Sequence, residues 1–331
     1  MKILGIGNAL VDILAKLNSD ETLAELNLPK GSMQLIDELQ RNYIFNVTQG
    51  LPQKMTAGGS ASNTLTALAK MGVHTGFIGK IGNDKYGQFY KEDVSGIGVN
   101  PHLIQKAAPS GTAMALISTD GERTFGTYLG ISAELSTNDL SKEIFRQYNY
   151  LYVEGYLVQN YELIESSMRI AQDLGMKVVI DTASYNVVES NRDFFWKLID
   201  QYVDIVFANE EEAGALTQLP NPVEAIEMIA PRVDIAVVKT GSKGALAMQG
   251  GNLVEVPALS AQVIDATAAG DFYAAGFLYG LYHKKSLQHC ARLGTLFAAN
   301  IIEVVGTRLD DNSWNKIRMD AEKILSSLSL N

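Results

Sequence analysis

The chain has 331 residues, of which 47% are hydrophobic and 19% are charged, and it carries a formal net charge of −10. This composition is typical of a globular protein with a large core, and its acidity argues against non-specific binding to nucleic acid or to an anionic membrane. Because Cys290 is the single cysteine, the chain cannot form an internal disulfide, which fits a reducing compartment.

The N-terminus is the first predicted element. Met1 and Lys2 precede an apolar run, as in a signal peptide, but Asn8 and Asp12 interrupt that run and no small-residue cleavage site follows. We therefore predict a buried first strand and a cytoplasmic protein. Cys290 lies in a helical stretch, where we expect a buried core residue rather than a nucleophile.

Short apolar runs alternate with helical stretches along most of the chain. The predicted strands are Ile3–Gly7, Val11–Leu17, Gly76–Ile81, Tyr150–Val153, Val178–Asp181, Ile205–Ala208 and Ile235–Lys239. The predicted helices include Ser60–Lys70, Tyr86–Ser95, Ile164–Leu174, Phe194–Tyr202 and a closing helix at Asp310–Leu328. This alternation predicts an α/β fold with a doubly wound, mainly parallel sheet flanked by helices, in a single domain of residues 1–331. Gly244–Gln249 and Leu253–Val256 predict an edge hairpin.

Two segments, approximately residues 12–50 and 100–130, have a different pattern of short strands. In the second, Thr112–Ser118 and Arg123–Leu129 flank a turn with the sequence Thr-Asp-Gly-Glu, and its Asp-Gly pair is a strong hairpin signal. We predict that both segments form a small β-sheet lid over a cleft. A β-insert without a functional role, or a dimer contact, is the alternative.

Residues 57–63 read Ala-Gly-Gly-Ser-Ala-Ser-Asn and lead into the helix predicted at Ser60–Lys70. The paired glycines, Gly58 and Gly59, permit a hinge or the close approach of a ligand. Asn63 offers both a donor and an acceptor, which suits a ligand with several hydroxyl groups. The alternative is a plain loop before a helix.

Residues 265–271 read Asp-Ala-Thr-Ala-Ala-Gly-Asp and precede an apolar helical stretch. Side chains this small let backbone N–H groups approach an anion, and the positive end of the helix dipole adds to the attraction. Asp271 would repel a phosphate, but beside an anion site it can take the proton of an attacking hydroxyl. The segment therefore indicates a kinase that phosphorylates an alcohol. The alternative is an ordinary helix start with an N-terminal Asp.

The sequence lacks several other ligand-binding patterns. Gly5-x-Gly7 misses the third glycine of a dinucleotide fingerprint, because Leu10 stands there, and no P-loop motif is present. The four histidines have no metal-ligand spacing.

The segments that start at Ala57 and at Asp265 resemble the two signature motifs of the ribokinase-like (PfkB) carbohydrate kinase family. Residues 5–12 are similar to the family's first strand, residues 209–212 to its Asn-x-x-Glu element and residues 239–244 to its nucleotide loop. Because these segments follow the family's order across nearly the whole chain, the chain is identified as a member of the family. The resemblance implies a ribokinase-like fold with a lid, and a small-molecule nucleoside or sugar as the partner of ATP.

The resemblance also implies roles for individual residues. Asp271 is the expected catalytic base, and backbone N–H groups of Ala268, Ala269 and Gly270 are expected to stabilise the transferred phosphoryl group. The acceptor substrate is expected to bind to Asn8, Asp12, Gly58, Gly59, Asn63 and Asp271. For Asp12, the alternative role is to cap the end of a strand.

The resemblance further implies sites for ATP and Mg²⁺. ATP is expected to contact Asn209, Thr240, Gly241, Gly244, Ala269, Gly270 and Asn300. Asn209 and Glu212 are expected to hold Mg²⁺ through water, although helix capping is a competing explanation because both residues stand where a helix opens. For Asn300, a polar residue on a helix edge is an equal alternative to a residue of the adenine pocket.

A monovalent cation, K⁺ by the family's habit, is expected between Asp265, Thr267 and Gly306. Two neighbouring positions depart from the family's usual pattern, since Ala266 replaces Thr or Ser and Ala268 replaces Gly. An alanine at positive φ costs on the order of 1 kcal/mol. Because alanine is an accepted variant of the family at this position, we expect a negative φ at Ala268.

Residues 5–9 and 28–37 are more similar to the adenosine-kinase branch of the family than to its ribokinase or fructokinase branch. The predicted substrate is therefore the 5′-hydroxyl of a purine nucleoside such as adenosine. Apolar lid residues that could stack on its base are Met33, Leu35, Met114, Phe125 and Tyr128, and packing within the lid is an equal alternative for them. The alternatives are a kinase for a free sugar, such as ribose or fructose, and a nucleoside-binding regulator without turnover. A monomer and a homodimer through the lid both remain open.

Overall fold

Two β-sheets with helices around them form the structure, a computed structural model that describes residues 1–327. The strands are β1 (Lys2–Ile6), β2 (Leu10–Lys16), β3 (Met33–Leu35), β4 (Gln53–Gly58), β5 (His74–Gly82), β6 (Val99–Lys106), β7 (Gly111–Ile117), β8 (Arg123–Tyr128), β9 (Tyr150–Glu154), β10 (Lys177–Asp181), β11 (Ile205–Asn209), β12 (Ile235–Lys239), β13 (Ala245–Gln249) and β14 (Asn252–Val256). The helices are α1 (Glu21–Glu25), α2 (Glu38–Val47), α3 (Ser60–Lys70), α4 (Lys85–Ile97), α5 (Lys142–Phe145), α6 (Tyr161–Asp173), α7 (Tyr185–Ser190), α8 (Arg192–Gln201), α9 (Glu210–Thr217), α10 (Pro222–Ile229), α11 (Ala269–Tyr282), α12 (Leu287–Ile301) and α13 (Asp311–Ser326).

The larger sheet has nine strands in the order β14-β13-β12-β11-β10-β9-β1-β5-β6. From β12 to β6 every neighbouring pair is parallel, whereas β13 and β14 pair antiparallel at one edge. Val178, Val179 and Ile180 of β10 are all buried, as expected for a strand with helices on both faces of the sheet. The structure thus confirms the predicted α/β class and the edge hairpin.

One strand of the large sheet, β6, was missed by the sequence pattern. It pairs only with β5 and lies at the sheet edge, where most of its residues are partly or fully exposed. Its Pro101 has no N–H to donate, which an edge strand tolerates. Without regular alternation of apolar residues, such a strand resembles a loop in the sequence.

The smaller sheet, called the lid sheet here, has the order β3-β8-β7-β2-β4. The antiparallel pair of β7 and β8 confirms the hairpin that the Asp-Gly turn predicts. The segment boundaries differ from the predicted ones, because β4 joins the lid sheet while β6 belongs to the large sheet. β4 belongs to the lid sheet because it pairs with β2, and β6 belongs to the large sheet because it pairs with β5.

The two faces of the lid sheet have different surroundings. Residues that pair across strands share a face, so the pairings of Asp12 with Ala113 and of Ala113 with Thr127 place all three on one face. The opposite face carries Met114, which packs in one core cluster with Ile44 of α2. Since α2 covers that face, the face with Asp12 is the one that α2 leaves uncovered.

Local capping residues define several helix starts. The side chains of Asp84, Asn160 and Asp310 each accept a backbone N–H in the first turn of α4, α6 and α13. The predicted helix at Ser60–Lys70 coincides with α3. The predicted closing helix corresponds to α13, and its expected end at Leu328 lies outside the described residues. In the part of the chain that the structure describes, no helix combines the length and the apolar character needed to cross a membrane.

Candidate active site

Asp271 stands in the first turn of α11 and accepts two hydrogen bonds from the first turn of α3. Ser60 Oγ donates to Asp271 Oδ1 at 2.6 Å, and Asn63 Nδ2 donates to Asp271 Oδ2 at 2.9 Å. A third bond, from Thr64 Oγ1 to the Asp271 carbonyl at 3.1 Å, joins the same helices. The starts of the two helices therefore meet at this carboxylate and hold its orientation.

Burial raises the pKa of Asp271 to about 6, with the charge of Asp181 adding to the effect. The hydrogen bonds from Ser60 and Asn63 and the charge of Lys239 oppose it. The side chain is still partly exposed, and it lines a cavity of about 920 Å³. A carboxylate with this pKa is ionised at neutral pH and is more basic than an ordinary Asp, which suits a general base.

Ala268, the residue before α11, has φ of 62° and so adopts the left-handed conformation. The expectation of a negative φ is therefore wrong. The backbone must turn sharply here so that the helix can start, and alanine accepts the cost of on the order of 1 kcal/mol.

The backbone N–H groups at the start of α11 differ in what they bind. The N–H of Ala269 donates to the Ala266 carbonyl at 3.2 Å. Within residues 1–327, those of Ala268, Gly270 and Asp271 meet no protein acceptor. All four residues line the cavity, so these free donors at the positive end of the helix can bind an anion there.

Asn8, Asp12, Gly58 and Gly59 form a second group, next to α3. A Cβ added at Gly58 would overlap the Asp12 carboxylate, and one added at Gly59 would overlap the Asn8 carbonyl oxygen. Gly59 also has φ of 94°, a conformation that disfavours other residues. The two glycines are thus required by the close approach of the chain to residues 8 and 12.

Asp12 carries a strongly perturbed carboxyl group. Burial raises its pKa to about 7, the guanidinium of Arg308 opposes this rise, and the charge of Asp271 adds to it. The two carboxylates are thus close enough to interact. A carboxyl group with this pKa is partly ionised near neutral pH, and its ionised form is a strong hydrogen-bond acceptor for a hydroxyl.

Glu154, at the end of β9, was not identified from the sequence. Its Oε1 accepts the backbone N–H and the side-chain amide of Asn8 at 2.7 and 2.8 Å, and its Oε2 accepts the Ala61 N–H at 3.1 Å. The side chain is buried, and burial raises its pKa to about 7. Glu154 therefore fixes Asn8 against the start of α3.

The cavity beside Asp271 includes most residues predicted to bind ATP. The predicted residues that line it are Asn63, Asn209, Glu212, Gly241, Gly244, Thr267, Ala268, Ala269, Gly270 and Asp271. Apolar side chains line the same cavity, namely Leu259, Val263, Ala298, Ala299 and Ile302. A cleft with a polar end at the helix start and an apolar remainder suits a nucleotide.

Two predicted ATP contacts do not reach this cavity. Thr240 is buried, and its backbone N–H donates to the Gly244 carbonyl at 2.8 Å. Asn300 is buried as well, and its amide donates to the Leu296 carbonyl of its own helix at 2.9 Å. Neither residue lines the cavity, and their neighbours Gly241 and Ala299 line it instead, so contact of Thr240 and Asn300 with ATP stays a prediction.

Asn209 and Glu212 form a complete capping box at the start of α9. Asn209 Oδ1 accepts the Glu212 N–H, while Glu212 accepts the Asn209 N–H and amide, all at 2.8 Å. Burial raises the pKa of Glu212, and the charge of Lys239 opposes this rise. Capping is thus a fact of the structure, but both residues also line the cavity. Within residues 1–327, no group of three His, Cys, Asp or Glu side chains is arranged to hold a metal unaided.

Lys239 and Asp181, at the ends of β12 and β10, were also missed. Lys239 Nζ lies 2.9 Å from Asp181 Oδ2, and both side chains are largely buried. Burial would lower the pKa of Lys239, but the charges of Asp181 and Glu212 raise it above its ordinary value. A Cβ added at Gly270 would lie 3.0 Å from Lys239 Nζ, so this ammonium group stands at the start of α11.

Both carboxylate oxygens of Asp265 have partners within the protein. Its carboxylate accepts the Thr267 N–H at 3.0 Å and the Gly306 N–H at 2.7 Å, and it forms an ion pair with Arg123 of the lid sheet. Arg123 also donates to Thr267 Oγ1 at 3.3 Å. A guanidinium group thus stands where a monovalent cation was expected, and the residues do not fit a bound cation.

Strand register divides the lid residues that were predicted to stack on a base. Leu35 pairs with Thr127 and Met33 pairs with Phe125, so Met33, Leu35 and Phe125 share the face of Asp12. Met114 and Tyr128 lie on the opposite face, and Met114 is fully buried there. The expectation for these two residues is therefore wrong, because neighbouring strand residues point to opposite sides.

Three of the site residues that were not predicted from the sequence share a recognisable position. Glu154, Asp181 and Lys239 each end a parallel strand of the large sheet, which is the edge where α/β proteins bind ligands. Ser60 directly follows the paired glycines and begins α3. Arg123 gave no such signal, since its partner Asp265 is distant in the sequence.

The chain is similar to one protein family and to several known kinases. A family model for the pfkB family carbohydrate kinases matches residues 34–314. The structure of an adenosine kinase from Sinorhizobium meliloti has 33% identity, covers 97% of this chain and 99% of its own, and superposes with a TM-score of 0.86. A probable sugar kinase from Rhizobium etli has 32% identity, covers 96% of this chain and 98% of its own, and has a TM-score of 0.87. An uncharacterized sugar kinase from Archaeoglobus fulgidus is 28% identical over 73% of this chain and 96% of its own length.

Proposed function

This chain belongs to the pfkB family of carbohydrate kinases, in its adenosine-kinase-like branch, and we propose that it phosphorylates the 5′-hydroxyl of adenosine or a related purine nucleoside. It is a phosphotransferase that acts on a hydroxyl group and uses ATP with a divalent metal, as the family does. The observation that carries the proposal is the place of Asp271, between the group around Asp12 and the 920 Å³ cavity.

The proposed reaction begins with the acceptor hydroxyl next to Asp271. As the hydroxyl oxygen forms a bond to the γ-phosphorus of ATP, the bond between that phosphorus and the β–γ bridging oxygen breaks. Asp271 takes the hydroxyl proton, and ADP leaves with the bridging oxygen. The hydrogen bonds from Ser60 and Asn63 support this step, because they keep both carboxylate oxygens in a fixed orientation.

The transferred phosphoryl group would meet the start of α11. The free N–H groups of Gly270 and Asp271 and the ammonium of Lys239 provide positive charge at this point. Donors that are already oriented stabilise the transition state without reorganising, and removing one typically costs about 100-fold or more in rate. Lys239 is a proposed contact that sequence reasoning did not supply.

Mg²⁺ is the proposed divalent metal, with Asn209 and Glu212 holding its water ligands. Both side chains line the cavity, and a carboxylate near phosphate is the usual environment of this ion. When bound, Mg²⁺ neutralises phosphate charge. The capping bonds between the two residues keep Glu212 oriented toward the cavity without a separate metal cage.

The acceptor would bind through Asp12, Asn8 and Asn63. Asp12 can accept from two hydroxyls of a ribosyl group, as a carboxylate does for paired donors. Asn63 Oδ1 is buried and has no partner among the described residues, although the amide nitrogen of Asn63 is bound to Asp271. A substrate hydroxyl can satisfy this oxygen, and a buried acceptor left unpaired costs about 1–3 kcal/mol.

A nucleoside is preferred over a free sugar because of the lid. Met33 and Leu35 are 53% and 59% exposed, and they share the lid face with Asp12 and Phe125. Exposed apolar side chains next to a hydroxyl-binding carboxylate offer a surface for a purine base. A free-sugar kinase is the second candidate, which the names of the Rhizobium and Archaeoglobus relatives favour.

A substrate panel with ATP and Mg²⁺ tests the proposal. ADP release would be measured with adenosine, other nucleosides, ribose and fructose, with Asp271→Asn as the control for contaminating activity. Adenosine should give the highest kcat/KM. If ribose or fructose reacts while adenosine does not, the substrate assignment is wrong. If adenosine binds in a calorimeter without any ADP release, the chain is a binding protein rather than a kinase.

A further inference from the structure

We propose that Arg123 is a built-in replacement for a monovalent cation, which ties the lid sheet to the loop before α11 and makes K⁺ unnecessary. The idea concerns the same site as the proposed kinase function and rests on it for its catalytic consequence. Arg123 is a positioning residue in this proposal, since it acts through Asp265 and Thr267 rather than on the substrate.

The first argument is the contact itself. Arg123 and Asp265 form an ion pair whose side chains are only 11% and 3% exposed, and Arg123 also donates to Thr267 Oγ1 at 3.3 Å. The ion pairs of Lys30 near the lid sheet are different, for example that with Asp120, whose side chains are 34% and 58% exposed. Burial of both partners indicates a specific link between the lid and this loop.

The second argument is electrostatic. Asp265 accepts two backbone N–H groups, from Thr267 and Gly306, and its single negative charge is balanced by the guanidinium. A guanidinium cannot lose its proton at any physiological pH. A second cation at the same carboxylate would meet an adjacent like charge with little water to screen it. The Asp265 carboxylate therefore has no unbalanced negative charge that could attract K⁺.

The third argument is what the two ends of the link control. Arg123 pairs with Ile117, which lies on the same lid face as Ala113 and hence as Asp12. At the other end, Asp265 and Thr267 precede Ala268, whose left-handed conformation starts α11 and orients its free N–H groups. One side chain thus connects the face that holds the acceptor with the donors that hold the phosphoryl group.

The link predicts a specific dependence on cations after substitution. Thermal unfolding would be followed in about 100 mM KCl and in choline chloride at the same ionic strength, so that general screening is equal. The wild type, Arg123→Lys and Lys30→Ala, a matched control with an exposed lid ion pair, should have the same Tm in both salts. Arg123→Ala should have a lower Tm in choline chloride and gain about 2 °C or more in KCl, because K⁺ can then bind at Asp265.

Activity provides the second measurement. With the preferred acceptor, Arg123→Ala should be about fivefold or more faster in KCl than in choline chloride, the lower end of coupling between two sites. The gain should be in kcat rather than in the KM of the acceptor, because the link positions α11. The wild-type rate should not change.

Two results would overturn the proposal. One is a wild type whose Tm or rate rises specifically with K⁺, and the other is an Arg123→Ala protein that folds but ignores K⁺ in both measurements. The unfolding experiment contains no substrate, so it stays valid even if the proposed kinase substrate is wrong. If Arg123→Ala does not fold, Arg123→Gln replaces it, because glutamine removes the positive charge but keeps most of the side chain, and it should show the same gain in KCl.

Discussion

Asn63 and Asp271 are far apart in the sequence, yet the Asn63 amide donates to the Asp271 carboxylate at 2.9 Å and holds two helix starts together. The contact makes the orientation of the proposed base depend on α3, the helix that begins next to the acceptor group. Ser60 adds a second bond from the same turn, at 2.6 Å. The packing of α3 against α11 therefore links the proposed acceptor site to the proposed base.

Asp271→Asn should abolish most turnover while the protein still folds. A general base typically contributes about 100-fold to 10,000-fold in rate, and an amide cannot take the proton. We expect kcat to fall by that amount in an ADP-release assay, with acceptor affinity retained in calorimetry. Asp173→Asn, on the exposed end of α6, is the matched control. A rate near that of the wild type would remove Asp271 as the base.

The pH dependence of kcat should report the ionisation of Asp271. Burial raises the pKa of this carboxyl to about 6, and only its ionised form can accept a proton. The rate should therefore be constant above that pH and fall about tenfold per pH unit below it. A profile with the same shape in Asp271→Asn would assign the ionisation to another group.

Asp12→Asn should make the protein more stable at high pH and weaken acceptor binding. The folded-state pKa of Asp12 is raised to about 7, so its favourable contribution is present when the group is protonated and is lost as the pH rises through 7. At about pH 8 the variant should therefore have a higher Tm than the wild type, by about 2 °C or more. The difference should shrink toward about pH 4, where both side chains are neutral. A lower Tm at high pH would show that the charge of Asp12 stabilises the fold.

Gly58→Ala should raise the acceptor KM. The added methyl group would overlap the Asp12 carboxylate and displace it from its hydrogen-bonding position. Hydrogen bonds to charged groups contribute about 1.5–3 kcal/mol, so we expect an increase of roughly tenfold or more. Gly96→Ala is the control, since Gly96 lies in α4 with open space around it and the change should stabilise the helix by about 0.5–1 kcal/mol. An unchanged acceptor KM in Gly58→Ala would separate Asp12 from acceptor binding.

Lys239→Met should lower both stability and turnover, for separable reasons. Removing one partner of a buried ion pair costs about 3–5 kcal/mol because the other partner, here Asp181, loses its ion-pair contact. The loss of the ammonium group near Gly270 should lower kcat by about 100-fold. In the double variant Lys239→Met/Asp181→Leu, the Tm should recover while kcat stays low. Recovery of both would mean that Lys239 has only a structural role.

Much of the fold, and the core of the candidate site, can be predicted from local sequence. The alternation of apolar runs with helical stretches predicts the large sheet, because buried parallel strands and their covering helices need continuous apolar residues. The Asp-Gly turn predicts the lid hairpin, since few other residues allow that turn. Small residues before a helix predict the anion site at Gly270, with Asp271 beside it. These features depend on neighbours in the chain, and so the sequence displays them.

Other features depend on which distant residues meet, and only the tertiary structure decides them. Ala268 has a positive φ, and the loop before it is held by the contacts of Asp265 with Arg123 and with the Gly306 N–H. Asn300 does not line the cavity, and its amide donates to a carbonyl oxygen of its own helix. Burial sets the pKa of Asp271, and burial is a property of the whole packed fold. Side-chain direction, backbone strain and charge all arise from contacts across long sequence separations, and no local pattern of residues determines them.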